Sequence, residues 1–556
     1  MNYMDLYNLW LESAALDAGQ KAELEGIKDN SKEIEDRFYR DLSFGTAGLR
    51  GILGMGTNRM NVFTVRRAAA ALGDVLLKEG RSAGGVAIAY DSRHFSDVFA
   101  LDSARVLAGR GIKVYLFESL RPTPELSFTI KHLGCSAGIV ITASHNPAEY
   151  NGFKAYAADG AQITEGMADA VFNRMQELSP LEIAMADESE ARSLGLIRTI
   201  GADVDEKYIE HVLSLRPDKE LLSRTGVKLK IVYTPLHGAG NKLVREALKR
   251  AGYTDVTVVK EQEEPDGAFP TVAYPNPELP DALKLAAEYA TKKDADIVVG
   301  TDPDSDRLGM MLKKDGKWVS LTGNQVGCLM LEYILRAKKP ENGSYAVSTI
   351  VSTRMIDAIA AKHGIDIIRV LTGFKYIGET IDKKEGIGNH GFLLGFEESC
   401  GYLTGGFIRD KDAVIASLLA CELAAYYKSK GMTLFDALEG MYREYGYYAE
   451  KTISVTMPGI DGMEKREKAL SDLRLNPPKE IGGKNIIASY DLKNGGVMGL
   501  PASNVLLYTL EDSAWVCVRP SGTEPKLKIY AGVKEAGEEK AQGALSKLCE
   551  FSKAFM

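Results

Sequence analysis

The chain has 556 residues, 45% of them hydrophobic and 26% charged, an ordinary globular composition with room for three to five domains at roughly 100–200 residues each. Its formal charge is −8, from 68 Lys plus Arg against 76 Asp plus Glu, and it has no basic block, which excludes a chain-wide role on nucleic acid. No apolar run reaches the ~18 residues of a membrane span. The start MNYMDLYNLWLES lacks the regions of a signal peptide. Six cysteines lie scattered without CxxC or zinc spacing, so we expect a cytoplasmic protein with reduced thiols that handles a small molecule.

The first forty residues read as helix: Leu6, Trp10, Leu11 and Ala14 share helical spacing, and Asn30 with Glu33 marks a second helix start. A pattern then recurs, a short Val/Ile-rich run followed by a polar loop and an amphipathic stretch. The runs are Val86–Tyr90 before DSRH, Gly138–Ile141 before TASHNP, Leu229–Tyr233 before TPLHGAGN, Ile297–Val299 before GTDPDSDR, Tyr345–Ile350 before VST, and Phe392–Leu394 before GFEES. Runs apolar on both faces that alternate with helices predict mostly parallel sheets under helical cover, with ligands beyond the carboxyl ends of the strands. From about Glu444 the chain changes. Pro458, Gly459, Gly462, Pro477, Pro478, Gly482 and Gly483 break it, strand-like runs follow at Asn485–Tyr490, Asn504–Leu510 and Trp515–Val518, and a helix is expected over Lys534–Phe551. This predicts a smaller α+β domain on a mobile connection.

Four loops carry chemistry. In Thr142-Ala143-Ser144-His145-Asn146-Pro147 a serine just past a buried strand is expected to be exposed at the sheet edge, as a nucleophile that needs a base, a metal or cations. The hexapeptide also reads as a Ser/Asn-rich turn; a hydrolase elbow is excluded by the absence of G-x-S-x-G. His145, next in sequence, is not automatically the base for Ser144, because neighbours in extended chain point apart. In Asp302-Pro303-Asp304-Ser305-Asp306-Arg307 three carboxylates at i, i+2 and i+4 converge on one cation, and all-oxygen ligation suits Mg²⁺. A solvated acidic turn is the other reading, disfavoured because three unpaired carboxylates repel. Gly395-Phe396-Glu397-Glu398-Ser399-Cys400-Gly401 offers acceptors for sugar hydroxyls, or an N-capped helix start. The charged run Gly406–Asp412 reads equally as surface. Arg519-Pro520-Ser521-Gly522-Thr523-Glu524-Pro525-Lys526 is a phosphate cradle or a proline-bounded turn. Taken together the loops describe phosphoryl transfer on a sugar phosphate.

In this order, FGTAGLRG, TASHNPAEYNGFK, DPDSDR, GFEES and RPSGTEPKLKIY resemble the phosphohexomutase superfamily. Further motifs (NRMN, YDSRHFS, LRPTPELS, YTPLHGAGN, LTGFKYIGE, RDKDA) resemble the bacterial phosphoglucomutases near the phosphoglucomutase-2/phosphopentomutase branch. The resemblance implies a heart-shaped four-domain α/β architecture, with three related mixed or parallel-sheet α/β domains at 1–204, 205–319 and 320–443 and a smaller mobile α+β domain at 444–556. It makes Ser144 the phosphoryl carrier and a Mg²⁺ ligand together with Asp302, Asp304 and Asp306. Arg307 would touch the phosphoryl group or order the metal loop. Glu397 and Ser399 would hold sugar hydroxyls, and Arg519, Ser521, Gly522 and Thr523 the phosphate that is not reacting. Lys154 and Arg50 are candidates for proton transfer and charge stabilisation, and His145 for local ordering. Lys375 and Arg409 are candidates for contact with substrate. The activity implied is exchange between glucose 1-phosphate and glucose 6-phosphate through a sugar 1,6-bisphosphate. Phosphopentomutase and phosphomannomutase activities, a silent sugar-phosphate-binding protein and a serine-dependent phosphatase are the competing readings.

Overall fold

The computed structural model describes residues 2–45, 48–457, 459–521 and 526–555. Three short helices open the chain, Tyr3–Glu12, Ala18–Glu25 and Ser31–Phe38. Asn30 caps the last of them by accepting from the Glu33 amide, as its spacing predicts. The helix over 18–25 falls within the stretch that reads as helix, but as a separate element that its polar sequence AGQKAELE does not mark, since it offers one buried side chain, Leu24, too little to make an apolar stripe. The three helices bury Tyr7, Trp10, Leu24, Ile34 and Phe38 against Met55 and Phe63.

Each predicted apolar run is a strand. The first sheet has the order Gly48–Ile52, Tyr150–Ala157, Ala137–Ile141, Val86–Tyr90, Val114–Phe117, Ile197–Ile200. Its last four strands are parallel, and the Tyr150–Ala157 strand runs antiparallel to both of its neighbours. The second sheet, Lys317–Ser320, Leu308–Lys314, Ile297–Thr301, Lys230–Thr234, Asp255–Val258, is parallel over its last three strands. The third, Asp366–Val370, Tyr345–Thr349, Phe392–Glu397, Gly401–Leu403, is parallel but for its edge. Parallel strands buried on both faces explain the continuous Val/Ile runs. The polar loops therefore leave the carboxyl ends of central strands, where ligands bind in such sheets.

The tail sheet is wholly antiparallel, and its two longest strands are ten-residue partners, Tyr447–Thr456 and Lys526–Glu535. Lys534 and Glu535, expected in the last helix, end the second of these strands, and the helix covers Glu538–Cys549. The broken segment also contains a 17-residue helix, Gly459–Leu475. The tail packs on the third sheet through Ile350, Val351 and Leu371 against Leu507, Trp515, Cys517 and Tyr530. Among the described residues no helix is long and apolar enough to cross a membrane.

Candidate active site

The serine loop leaves the strand Ala137–Ile141 and the acidic loop leaves Ile297–Thr301. They meet: Ser144 Oγ donates to Asp302 Oδ2 at 2.8 Å. Ser144 is not exposed at a sheet edge but 3% exposed, because the acidic loop packs over it. Its φ of 53° is left-handed, and this turn brings neighbours together that extended chain would separate. His145 Nδ1 consequently lies 3.2 Å from Ser144 Oγ. Burial, then the charges of Arg307 and Arg50, hold the His145 imidazole well below its usual pKa, so it is a neutral ring at pH 7.

One buried guanidinium shapes the serine loop. Arg93, from the DSRH motif, donates to the carbonyls of Ser144 (2.6 Å), Asn146, Pro147 (2.7 Å) and Tyr150 (3.0 Å). Asp91 sits 3.3 Å from Arg93 and accepts from Thr142 Oγ1 at 2.6 Å, and the Phe269 ring lies 5.0 Å from the guanidinium carbon. Arg50, on the strand beside Asn151 and Gly152, donates to Asn146 Oδ1 at 3.2 Å.

Asp302, Asp304 and Asp306 are buried, with one carboxylate oxygen from each within 4.8 Å of the others. Ser305 takes the left-handed φ of 53° that closes the loop. Asp302 Oδ1 accepts from the amides of Asp306 (3.0 Å) and Arg307 (2.9 Å). Asp304 Oδ2 accepts from Lys154 Nζ (2.8 Å) and Thr123 Oγ1 (2.9 Å). Asp306 Oδ2 lies 3.2 Å from Lys411 Nζ and 3.7 Å from Lys154 Nζ. Among the described residues Asp304 Oδ1 and Asp306 Oδ1, both buried, have no hydrogen-bond partner. Orphaned carboxylate oxygens beside Asp302 Oδ2 and the serine hydroxyl make an all-oxygen donor set that fits Mg²⁺. Burial and then the charges of Asp304 and Asp306 push the Asp302 carboxyl well above its usual range. Asp304 goes the other way: burial would raise it, but the Lys154 ammonium together with hydrogen bonds to Asp302 and Thr123 more than offsets that.

Arg307 donates to the Ser399 carbonyl at 3.1 Å and lies 3.6 Å from Glu278. A backbone bridge from Arg307 to Gly401 ties the acidic loop to the third sheet. Glu397 ends its strand with Oε1 accepting from the Gly373 amide at 2.7 Å. Burial and neighbouring Glu397 push Glu398 up to about 7, and Arg519 of the tail pulls it back. Burial, then Glu165 and Glu379, raise Tyr376 to about 12, and Arg519, last but one in its strand, opposes them, so the tail arginine lies toward the Glu397–Ser399 loop and the head of the helix Phe374–Gly386. Lys375 stands in that first turn, 3.5 Å from Glu165. The Ser521 amide donates to Lys526 O at 2.8 Å; Gly522 and Thr523 lie outside the described residues.

Arg409 is not brought to this cluster. Its side chain is 1% exposed and bound to Asp382 at 2.8 Å and Glu385 at 2.5 Å. The charged run 406–412 is thus not surface: Arg409, Asp410, Lys411 and Asp412 are all buried. Its reaching member is Lys411, which sequence reasoning passed over. Asp410 steers it, accepting from Lys411 Nζ (2.9 Å), Tyr156 OH (2.7 Å) and Gln162 Nε2 (3.0 Å). A Cβ at Gly401 would come within 2.2 Å of Lys411 Cδ, so that glycine makes room for the lysine stem. The alternating charges of RDKD were the available signal for Lys411, and the buried strand before DSRH the signal for Arg93.

Comparison with known proteins supplies the family. The phosphoglucomutase/phosphomannomutase model matches in four parts, alpha/beta/alpha domain I over residues 41–182, domain II over 206–316, domain III over 322–445 and the C-terminal domain over 488–544. The chain belongs to the phosphoglucomutase/phosphomannomutase family. Among relatives of this family member, a phosphoglucomutase of Staphylococcus haemolyticus (strain JCSC1435) is 36% identical over 89% of this chain and 91% of its own length. One of Staphylococcus aureus (strain MRSA252) is 36% identical over 91% and 92%. The fold is that of the Paramecium phosphoglucomutase parafusin in its open form, with TM-score 0.72 and 19% identity over 93% of this chain and 95% of that one. It is also that of a phosphoglucomutase/phosphomannomutase family protein of Burkholderia thailandensis, with TM-score 0.68 and 19% identity over 92% and 97%. The motifs that resembled the phosphohexomutase superfamily are thus those of its members, and the four-domain α/β architecture is the family's.

Proposed function

We propose that the protein is a phosphoglucomutase, an isomerase that interconverts α-D-glucose 1-phosphate and glucose 6-phosphate through phosphorylated Ser144 and glucose 1,6-bisphosphate. The observation that carries this is the 2.8 Å hydrogen bond from Ser144 Oγ into the acidic cluster, in a chain whose relatives are phosphoglucomutases. Asp302, Asp304, Asp306 and the Ser144 oxygen would hold Mg²⁺, which when bound supplies charge neutralisation at the transferring group.

The residues divide the remaining work. The sugar hydroxyl attacks the phosphoserine phosphorus and gives up its proton to a neutral acceptor beside Ser144, the His145 ring; the sugar O–P bond forms as the Ser144 Oγ–P bond breaks, and the second half of the cycle reverses this at the other phosphate. Two acceptors lie within reach of the Ser144 proton when the hydroxyl is free, Asp302 Oδ2 at 2.8 Å and His145 Nδ1 at 3.2 Å. Lys154 and Lys411, both turned toward Asp306, and Arg50 beside the serine loop offset charge on the transferring group. Arg307 orders the acidic loop against Ser399. Glu397 and Ser399 hold sugar hydroxyls, while Arg519, Ser521, Gly522 and Thr523, with Lys375, grip the phosphate that is not reacting. A phosphatase needs an open, water-accessible phosphoserine, and the burial of Ser144 speaks against it. The six free cysteines fit a reducing cytoplasm, and the motifs favour the branch near phosphoglucomutase-2.

The test is a rate comparison on glucose, mannose and ribose 1-phosphates with Mg²⁺ and a trace of the corresponding bisphosphate. Glucose is expected to be fastest, and equal or higher rates on the pentose overturn the sugar assignment. Ser144→Ala is expected to abolish turnover while sugar-phosphate binding persists; near-normal rates in that variant overturn the mechanism.

A further inference from the structure

We propose that Thr123 sets the metal selectivity of the acidic cluster: it makes Asp304 a one-oxygen ligand, so that the site takes Mg²⁺ in preference to Ca²⁺. The inference rests on the magnesium reading above and goes beyond it to a residue outside the acidic loop.

Thr123 is the first residue of the helix Thr123–Leu133, which packs on the first sheet, whereas Asp304 follows a strand of the second. The threonine is 0% exposed and holds Asp304 twice. Its amide donates to the Asp304 carbonyl at 2.9 Å and its Oγ1 to Asp304 Oδ2 at 2.9 Å. Lys154 Nζ reaches the same Oδ2 at 2.8 Å. A carboxylate oxygen accepts about two hydrogen bonds, so Oδ2 is filled and Oδ1, buried and partnerless among the described residues, is left for a cation.

The rest of the cluster follows the same plan. The amides of Asp306 and Arg307 occupy Asp302 Oδ1, and Lys411 stands at Asp306 Oδ2. Each aspartate therefore has one oxygen to give. Mg²⁺ accepts six single oxygens in near-octahedral geometry and keeps water among them, while Ca²⁺ takes six to eight and relies on carboxylates that chelate with both oxygens. Groups that occupy the second oxygen of each carboxylate thus disfavour Ca²⁺. Thr123 is the neutral one among the side chains that do so, and it can be changed without altering the charge of the site.

Full-length protein stripped with chelator is titrated with MgCl₂ and with CaCl₂ by calorimetry, as wild type, Thr123→Val and Thr123→Ser. Valine keeps the branched shape and the main-chain bond to Asp304, and an unchanged melting temperature checks the fold. In Thr123→Val the Mg²⁺ affinity is expected to fall about tenfold, the low end for loss of a partner behind a metal ligand, with Ca²⁺ affinity unchanged or higher, so the Mg²⁺/Ca²⁺ ratio falls at least as far. Thr123→Ser is expected to restore the wild-type ratio. A ratio in Thr123→Val within twofold of wild type, including a parallel loss of both cations as from a merely structural role, overturns the inference and leaves the magnesium site standing. Wild-type protein that binds neither cation overturns both.

Discussion

Arg93 shows how much one side chain organises here. Its planar fork spans the carbonyls of Ser144, Asn146, Pro147 and Tyr150, a span that no ammonium reproduces. It also fixes the left-handed turn at Ser144, a conformation that a non-glycine residue keeps only where its surroundings enforce it. Ser305 and Cys400 carry the same feature, with φ of 53° and 62°, so each of the three loops at the site stores one strained residue. Arg93→Lys keeps the charge and loses the fork. With one or two charge-assisted bonds lost, kcat is expected to fall about a hundredfold, roughly 2–3 kcal/mol, with KM changed much less because no substrate contact is removed. Steady-state kinetics on glucose 1-phosphate checks this; an equal loss through KM alone would mean the loop geometry is not what Arg93 supplies.

Among elements, the helix Ala202–Ser214 meets the helix Thr123–Leu133 through an aromatic knot in which the His211 ring lies 5.7 Å from Phe128 and 5.4 Å from Phe407. Burial, with Lys131 adding repulsion, lowers the His211 pKa to about 4, and its Nε2 has no partner among the described residues. The unfolded chain takes up a proton near pH 6.5 that the folded chain refuses until about pH 4, so stability contributed by the neutral ring is lost as pH falls through that window. Discounted for partial exposure, the effect is about 2 kcal/mol. His211→Phe is expected to flatten that part of the acid limb when urea midpoints are compared at pH 7 and pH 4.5. At this scale the legible elements were those with a strong apolar signature. Val86–Tyr90, Ile297–Thr301 and Tyr345–Thr349 announce themselves because both faces are buried. The strand Lys526–Glu535 ends in residues that read as helix formers, and pairing along the ten-residue strand Tyr447–Thr456 overrides that local preference. The helix over 459–475 follows Pro458 and includes Gly459 and Gly462, all of which read as breaks, although a proline just before a helix is compatible with its start.

For the whole molecule, the acidic loop is the point where three α/β units join. Lys154 and Thr123 reach it from the first, Lys411 from the third, and the backbone bridge at Arg307–Gly401 stitches the second to the third. The carboxylates at i, i+2 and i+4 and the serine after a buried strand could be read because chemistry sat in contiguous residues. The sequence carries signals for Arg93 and Lys411, but their meaning, like that of Thr123, lies in partners 51, about a hundred and 181 residues away, and sequence alone gives no distance between such groups. Three carboxylates buried together oppose the assembly of those units, and a cation removes that opposition. Magnesium at a hundred times its dissociation constant is therefore expected to add about 2.7 kcal/mol to stability, read as a higher urea midpoint with Mg²⁺ than with chelator. Because the ligands are held from three units, amide exchange is expected to slow together in residues 142–148, 302–307 and 409–412. Protection confined to 302–307 would show that the cation orders its own loop and does not lock the three units around it.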